Sequence, residues 1–155
     1  MLNIIRYSIV ASMLLAISGV AFAESIGKIK KLSGQVSIER SSGKVTPSLG
    51  DAVYQTDKII TGSDGYIGLL FNDDSRLAAG SNSTLALDKF NFDPVTHAGA
   101  FDVSMQKGTL SVISGKLTQK QPGALKVKTP AAILAVRGTE FSVRIEDPAK
   151  ETAKE

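Results

Sequence analysis

Few residues of this chain have the types and spacing that catalysis or metal binding requires. Asp73 and Asp74 are adjacent carboxylates that could share acid–base work or bind calcium, and His97 is the single histidine. Adjacent carboxylates are typical of tight turns, however, and the oxygen-rich spacing of a calcium loop is missing. A lone histidine between Pro94 and Gly99 is typical of a solvated loop. No G-x-S-x-G elbow or glycine-rich phosphate loop occurs, so we predict no enzyme, no cofactor and no metal site.

A polar cluster between two apolar runs predicts a hairpin turn that carries charged side chains. The cluster occupies residues 72–75 and follows the apolar run that ends at Phe71. Residues of these types tolerate positive φ or hydrogen-bond to their own backbone, as a tight turn requires. We therefore expect Asp73, Asp74 and Arg76 to form a surface for contact with another molecule.

The segment AVRGTEFSV, residues 135–143, is typical of one buried strand, but Arg137, Gly138 and Thr139 interrupt it. The guanidinium group of an arginine could bind a carboxylate or a phosphate through its planar fork of donors. Alternatively, the arginine satisfies backbone carbonyls where the chain turns, the glycine permits the bend and the threonine hydrogen-bonds locally. We favour the second interpretation, a structural corner that locks the last strand to the core.

The N-terminal residues have the organisation of a secretory signal peptide. Residues 1–6 are a short basic start, residues 7–20 are apolar and uncharged, and Ala21-Phe22-Ala23 fits the small-x-small rule for signal peptidase. The apolar run of about 14 residues is shorter than the roughly 20 that a membrane-spanning helix needs. We expect cleavage after Ala23, a periplasmic or secreted product, and no stable membrane insertion after processing.

The net charge and the cysteine content of the chain limit the partners and the chemistry that we expect. The formal net charge is +3, and the basic residues are not concentrated in one segment, so we expect no nucleic-acid partner. The chain has no cysteine, which excludes disulfides and thiolate chemistry. Cohesion must therefore come from packing and strand pairing.

Short runs of alternating apolar and polar residues dominate the chain after the signal segment. They are separated by turn-rich clusters at roughly ten-residue intervals, the rhythm of a β-sandwich or roll. We predict an all-β fold: a single compact two-layer sandwich or roll with solenoid-like winding. The alternating runs occupy residues 36–38, 101–105, 125–127 and 141–145.

One run, Tyr66–Phe71, is apolar on both faces, which predicts a central strand. Gly68 within it predicts a bulge or a close approach of two backbones. We expect a signal peptide over residues 1–23, the β-domain over 24–146 and a disordered tail over 147–155, because the tail is charged and begins with a proline.

Several motifs together resemble the FecR domain, over roughly Gly27 to Ile145. The specific part is the ending, in which VKTP is followed by VRGTEF. Asp74 stands where the family usually has glycine, and aspartate tolerates the left-handed region better than most residues. The motifs are GQV (34–36), LGD (49–51), DKIITG (57–62), LFNDDS (70–75), VKTP (127–130) and VRGTEF (136–141).

The resemblance implies an exported β-domain that makes protein contacts in the cell envelope. In the best-known members, the domain is the periplasmic part of a membrane-anchored regulator of an iron-responsive sigma factor, and it receives a signal from an outer-membrane transporter. Here the apolar stretch ends in a cleavage site and no anti-sigma segment precedes it, so we do not expect that role.

We expect instead a non-catalytic module that binds an unidentified envelope protein in envelope signalling or assembly. The alternative is a module that binds the cell wall or a polysaccharide glycan. Export and the cationic residues Lys126 and Lys128 favour this alternative, whereas the absence of tryptophan disfavours it because sugar platforms prefer flat rings.

Overall fold

The computed structural model describes residues 23–137 and 140–146, and strands dominate this part of the chain. The prediction of an all-β fold is confirmed. Apart from Ala23, the predicted signal peptide lies outside the described residues, as does the tail over 147–155. The strands are β1 (Ser25–Ser33), β2 (Val36–Arg40), β3 (Gly43–Val45), β4 (Ala52–Tyr54), β5 (Lys58–Thr61), β6 (Tyr66–Phe71), β7 (Arg76–Ala79), β8 (Thr84–Phe92), β9 (Gly99–Ile113), β10 (Leu125–Lys128), β11 (Ile133–Ala135) and β12 (Glu140–Ile145), and the one described helix is α1 (Lys116–Lys120).

The long strand β9 joins two halves of a curled sheet. Its N-terminal part pairs with β8 and β10, and the first half has the order β3-β2-β5-β8-β9-β10-β11. Its C-terminal part pairs with β7 and β12, and the second half has the order β12-β9-β7-β6-β1-β4. All described neighbours are antiparallel except β9 and β10, which are parallel. One strand thus belongs to both layers.

Gly108 lies where β9 passes from one half to the other. Lys107 pairs with Thr84 of β8, whereas Gly108 pairs with Ile145 of β12. Gly108 has a φ of +100°, and a Cβ atom there would lie 2.1 Å from the Oγ of Ser83. Glycine is therefore required at this position for both its conformation and its lack of a side chain.

The two halves face each other across one apolar core. The ring of Phe71, on β6 of the second half, lies 5.8 Å from Phe90 and 4.6 Å from Phe101, both in the first half. These contacts confirm the predicted two-layer arrangement. Other fully buried side chains from both halves include Ile29, Ile38, Ile59, Ile67, Leu85, Leu87, Val103, Leu110 and Val112.

Strand β6 lies between β1 and β7, as its apolar pattern predicted. The pairing of β1 with β6 shifts between Ile29 and Lys31, opposite Gly68. A Cβ atom on Gly68 would lie 3.1 Å from the Cβ of Lys31. Of the two predicted alternatives, the bulge is confirmed, and the close contact at Gly68 is with the Lys31 side chain.

A partly buried ion pair connects the two halves at one end of the sheet. The Nε of Arg40, on β2, donates to the Oδ1 of Asp57 at 2.9 Å, and its Nη2 donates to the carbonyl of Ala52, on β4, at 2.8 Å. The Oδ2 of Asp57 accepts from the backbone N–H of Tyr54 at 3.0 Å. Asp57 is 2% exposed, so this carboxylate satisfies groups from both layers inside the fold.

Residues 135–143 do not form one strand, although their apolar pattern is typical of one. Ala135 ends β11 in the first half, and Glu140 begins β12 in the second. Ala135 is exposed and Phe141 is half-buried, because both strands lie at the ends of their halves. An apolar pattern alone does not distinguish such an end strand from a central one.

Candidate functional site

Hydrogen bonds to the buried side chain of Asp73 stabilise the hairpin between β6 and β7. Its Oδ1 accepts from the backbone N–H of Ser75 at 3.1 Å, and its Oδ2 accepts from the Ser75 hydroxyl at 2.6 Å. The Ser75 Oγ in turn accepts from the N–H of Gly115 at 3.0 Å, and the Lys116 N–H donates to the Asp73 carbonyl at 2.7 Å. The hairpin and the start of α1 are thus one hydrogen-bonded unit.

The structure places the three residues that were expected at this surface in two different environments. Asp73 is 0% exposed, so its carboxylate lies under the turn, where it satisfies backbone groups. Asp74 and Arg76 are exposed. Contact of this hairpin with another molecule stays a prediction for these two residues, whereas Asp73 can act only through the shape of the turn.

Asp74 adopts the left-handed conformation with a φ of +66°, as its place in the motif requires. Its Oδ2 lies 2.8 Å from the Nζ of Lys116. The hydrogen bond from Lys116 and the positive charge of this residue lower the pKa of the Asp74 carboxyl, and the charge of Arg76 lowers the pKa further. Asp74 is therefore ionised at neutral pH and already has a cationic partner.

His97 lies in the loop between β8 and β9, where it interacts electrostatically with the Asp93 carboxyl. The His97 ring stacks on Phe92 at 5.9 Å, and its backbone has a φ of +57°. Asp93 accepts from the backbone N–H groups of Val95 at 2.8 Å and Thr96 at 3.2 Å, which lowers the pKa of its carboxyl. Among residues 23–137 and 140–146, no group of three or more metal-ligating side chains is close enough to hold an ion.

The predicted corner lies only partly within the described residues. Arg137 is exposed and follows the buried Val136. Gly138 and Thr139 lie outside the described residues, so the locking role of this corner stays a prediction.

Strand β11 is an open apolar edge of the first half. It pairs with β10 alone among the described strands, in the register Val127 with Leu134 and Lys128 with Ile133. All three of its residues are exposed, Ile133 by 66% and Leu134 by 37%. Consecutive residues of a strand direct their backbone groups to opposite sides, so the N–H and C=O groups on the far side of β11 have no partner strand among the described residues.

The other three edge strands are β3, β12 and β4, and each carries charged residues or has its backbone bound by side chains. Strand β3 has three residues, one of them Lys44, and β12 carries Glu140 and Arg144. The backbone of β4 is engaged by the Arg40 and Asp57 side chains described above. Charged edges discourage pairing with other chains, and β11, although as short as β3, has no charged residue. Among the edges that the described strands form, β11 is therefore the most available for pairing.

The sequence profile of the family described as "FecR protein" matches residues 57–153, more than half of the chain. The chain belongs to the FecR protein family. The match begins at Asp57, later than the resemblance that was expected from Gly27, and it includes the hairpin, α1 and β11 of this FecR protein.

Other comparisons add little to this assignment. A solved structure described as a "Cell surface anchoring domain" is 29% identical, with 39% of this chain and 82% of that chain covered and a TM-score of 0.38. No curated protein matches. The family assignment of this FecR protein therefore rests on the profile match.

Two features of this FecR protein were not found by sequence reasoning. The ion pair of Arg40 with Asp57 joins residues 17 positions apart, and no local pattern indicates it. The exposed edge at β11 had a visible signal, since residues 131–136 contain no charged side chain, but the same composition is typical of a buried strand.

In the described part of the chain, the only helix has five residues, which is far too short to cross a bilayer.

Proposed function

We propose that this FecR protein is a non-catalytic module that binds an extended segment of another cell-envelope protein along β11. The observation that carries the proposal is the exposed and uncharged edge of this strand, which no described strand pairs on its far side. An incoming strand would form main-chain hydrogen bonds with the free edge and cover the exposed side chains of Ile133 and Leu134.

Membership of the FecR family supports an envelope role, because FecR is a signalling and regulatory family. The described residues also support a passive mechanism. Their carboxylates in the hairpin serve the fold or pair with Lys116, and His97 stacks on Phe92. Signalling would then arise from a change in which protein is bound to a rigid β-body, in the periplasm or beyond.

The proposal predicts that a charge on the edge abolishes partner binding. We suggest affinity capture from envelope extracts with the processed protein, with an Ile133→Lys variant, and with a Val95→Lys control. Val95 is 87% exposed and lies in the loop between β8 and β9, so this control adds the same charge at an exposed apolar residue away from the edge. Proteins retained by the wild type and the control but lost from Ile133→Lys support the proposal.

Two outcomes contradict the proposal. Capture of the same proteins by Ile133→Lys would show that β11 is not the binding edge. Sedimentation of the protein with purified peptidoglycan, without any captured protein, would favour the cell-wall alternative.

A further inference from the structure

A second surface lies on the outer face of the second half, away from β11. A groove of about 410 Å³ crosses β1, β6, β7 and β9 there. The register aligns Gly68, Ala78 and Ser111 as one row across neighbouring strands, and these three small residues form its floor. Leu70 and Ile113 line one side of the floor.

Three cations and no acid are among the residues that line the groove, and the acid that the register places beside it is Glu140 of β12, which pairs with Ile113. Lys30, Lys31 and Arg76 line it, and none of them forms an ion pair with another residue in the described part of the chain. The charge of Arg76 also acts on Asp74, whose carboxylate is already bound by Lys116 at 2.8 Å. The lining of the groove therefore carries a net positive charge, and its cations are not held in ion pairs within the described residues.

The lining combines this charge with apolar surface. Tyr66 is 37% exposed and Ile113 is 38% exposed, and both contribute to the groove with Leu70. Such a lining complements a ligand that carries both carboxylates and apolar side chains. A linear polysaccharide fits less well, because Tyr66 is the single aromatic ring of the lining and sugars prefer flat aromatic platforms.

We propose that this groove binds an extended acidic segment of a partner protein. Four strands about 4.8 Å apart give a floor about 14 Å long, which accommodates about four extended residues. Carboxylates of the segment pair with Arg76 and the two lysines, and its apolar side chains lie on Leu70 and Ile113. The segment crosses the strands instead of adding to an edge, so this site is independent of β11.

The test uses a labelled eight-residue peptide of alternating glutamate and leucine. A peptide of the same length with alternating lysine and leucine is the control of opposite charge. Fluorescence anisotropy measures binding of both to the processed protein. Arg76→Glu reverses a charge of the border, and Ala78→Leu fills the floor. The controls are Lys126→Glu, an exposed lysine of the first half, and Ala86→Leu, a half-buried alanine on the outer face of β8.

We expect the acidic peptide to bind and the basic peptide not to bind. Each groove variant should weaken the binding of the acidic peptide by about tenfold, which corresponds to a loss of about 1.4 kcal/mol of binding free energy. Each control variant should change the affinity by less than about twofold. Circular dichroism verifies that every variant retains its strands. Because one groove variant reverses a charge and the other fills the floor, both would have to misfold to obscure the result.

Three results overturn the inference: no binding of the acidic peptide, equal binding by Ala78→Leu, or displacement of the bound peptide by polygalacturonate at an equal concentration of carboxylate. The last result would assign the groove to an anionic glycan. Because Ile133→Lys leaves the groove intact, failure here is distinguishable from failure of the proposal for β11.

Discussion

Removal of the Asp57 carboxylate should be among the most damaging single changes in this domain. Asp57 is 2% exposed and accepts hydrogen bonds from the Arg40 guanidinium at 2.9 and 3.2 Å and from the Tyr54 N–H at 3.0 Å. The Arg40 guanidinium also lies 4.9 Å from the centre of the Tyr54 ring. Asp57→Ala leaves a guanidinium and a backbone N–H without their acceptor, at the point where β2 and β4 meet.

The magnitude follows from the burial of the pair. Removal of one partner from a buried ion pair costs about 3 to 5 kcal/mol. Arg40 is 24% exposed and can regain some water, so we expect the lower end, about 3 kcal/mol, which corresponds to a decrease in Tm of about 10 °C for a domain of this size. Asp57→Asn keeps an acceptor for Tyr54 and should cost less, about 2 kcal/mol.

Urea unfolding followed by circular dichroism measures this free energy directly. The matched control is Glu39→Ala, because Glu39 also pairs with a cation on a neighbouring strand, Lys58, but both partners are at least 40% exposed. That change should alter the free energy of unfolding by no more than about 1 kcal/mol. Equal effects of Asp57→Ala and Glu39→Ala would refute the reasoning. In a double-mutant cycle, Arg40→Leu with Asp57→Leu should be more stable than Asp57→Leu alone.

Three further predictions concern the hairpin and the corner. Gly115→Ala should destabilise the domain by about 2 kcal/mol in urea unfolding, because a Cβ atom there would lie 2.2 Å from the Asp73 carbonyl oxygen; an unchanged midpoint contradicts this packing. Lys116→Met should raise the pKa of the Asp74 carboxyl in the folded protein, which NMR titration measures. Because Lys116 lowers this pKa in the folded state, the pair stabilises the fold at pH values above the pKa of Asp74 in the unfolded chain. This stabilisation disappears as the pH falls through the lower pKa of the folded state. Gly138→Val should cost roughly 1 to 3 kcal/mol if the corner needs unusual backbone angles, and an unchanged Tm would show that it does not.

Local alternation in the sequence was enough to predict much of the fold. The runs around Val36, Phe101, Leu125 and Phe141 all lie in strands, and the central position of β6 followed from its two apolar faces. These features depend on neighbouring residues and on the period of two in a strand, so the sequence alone carries them.

Features that depend on distant residues could not be predicted in the same way. Asp73 was expected at the surface, but Ser75 and the Gly115 N–H complete its buried network, and Gly115 is about 40 residues away in the chain. The 15-residue length of β9 was also not apparent, because Gly108 interrupts the alternation at the point where this strand changes its partners.

The candidate site was the least predictable part of the molecule. An apolar run such as residues 133–135 has the same composition in a buried strand and in an exposed edge, and only the sheet order shows that no described strand covers it. Arg76 was identified from its place in the hairpin, whereas its groove depends on the register of four strands.

Site-specific photocrosslinking in intact cells tests the binding role of β11 most directly. A photoreactive residue replaces Ile133 in one variant and Val95 in another, since both side chains are exposed and apolar. We predict that Ile133 crosslinks to an envelope protein that Val95 does not reach. The absence of a protein adduct at Ile133, or the same adduct from both positions, would contradict the account.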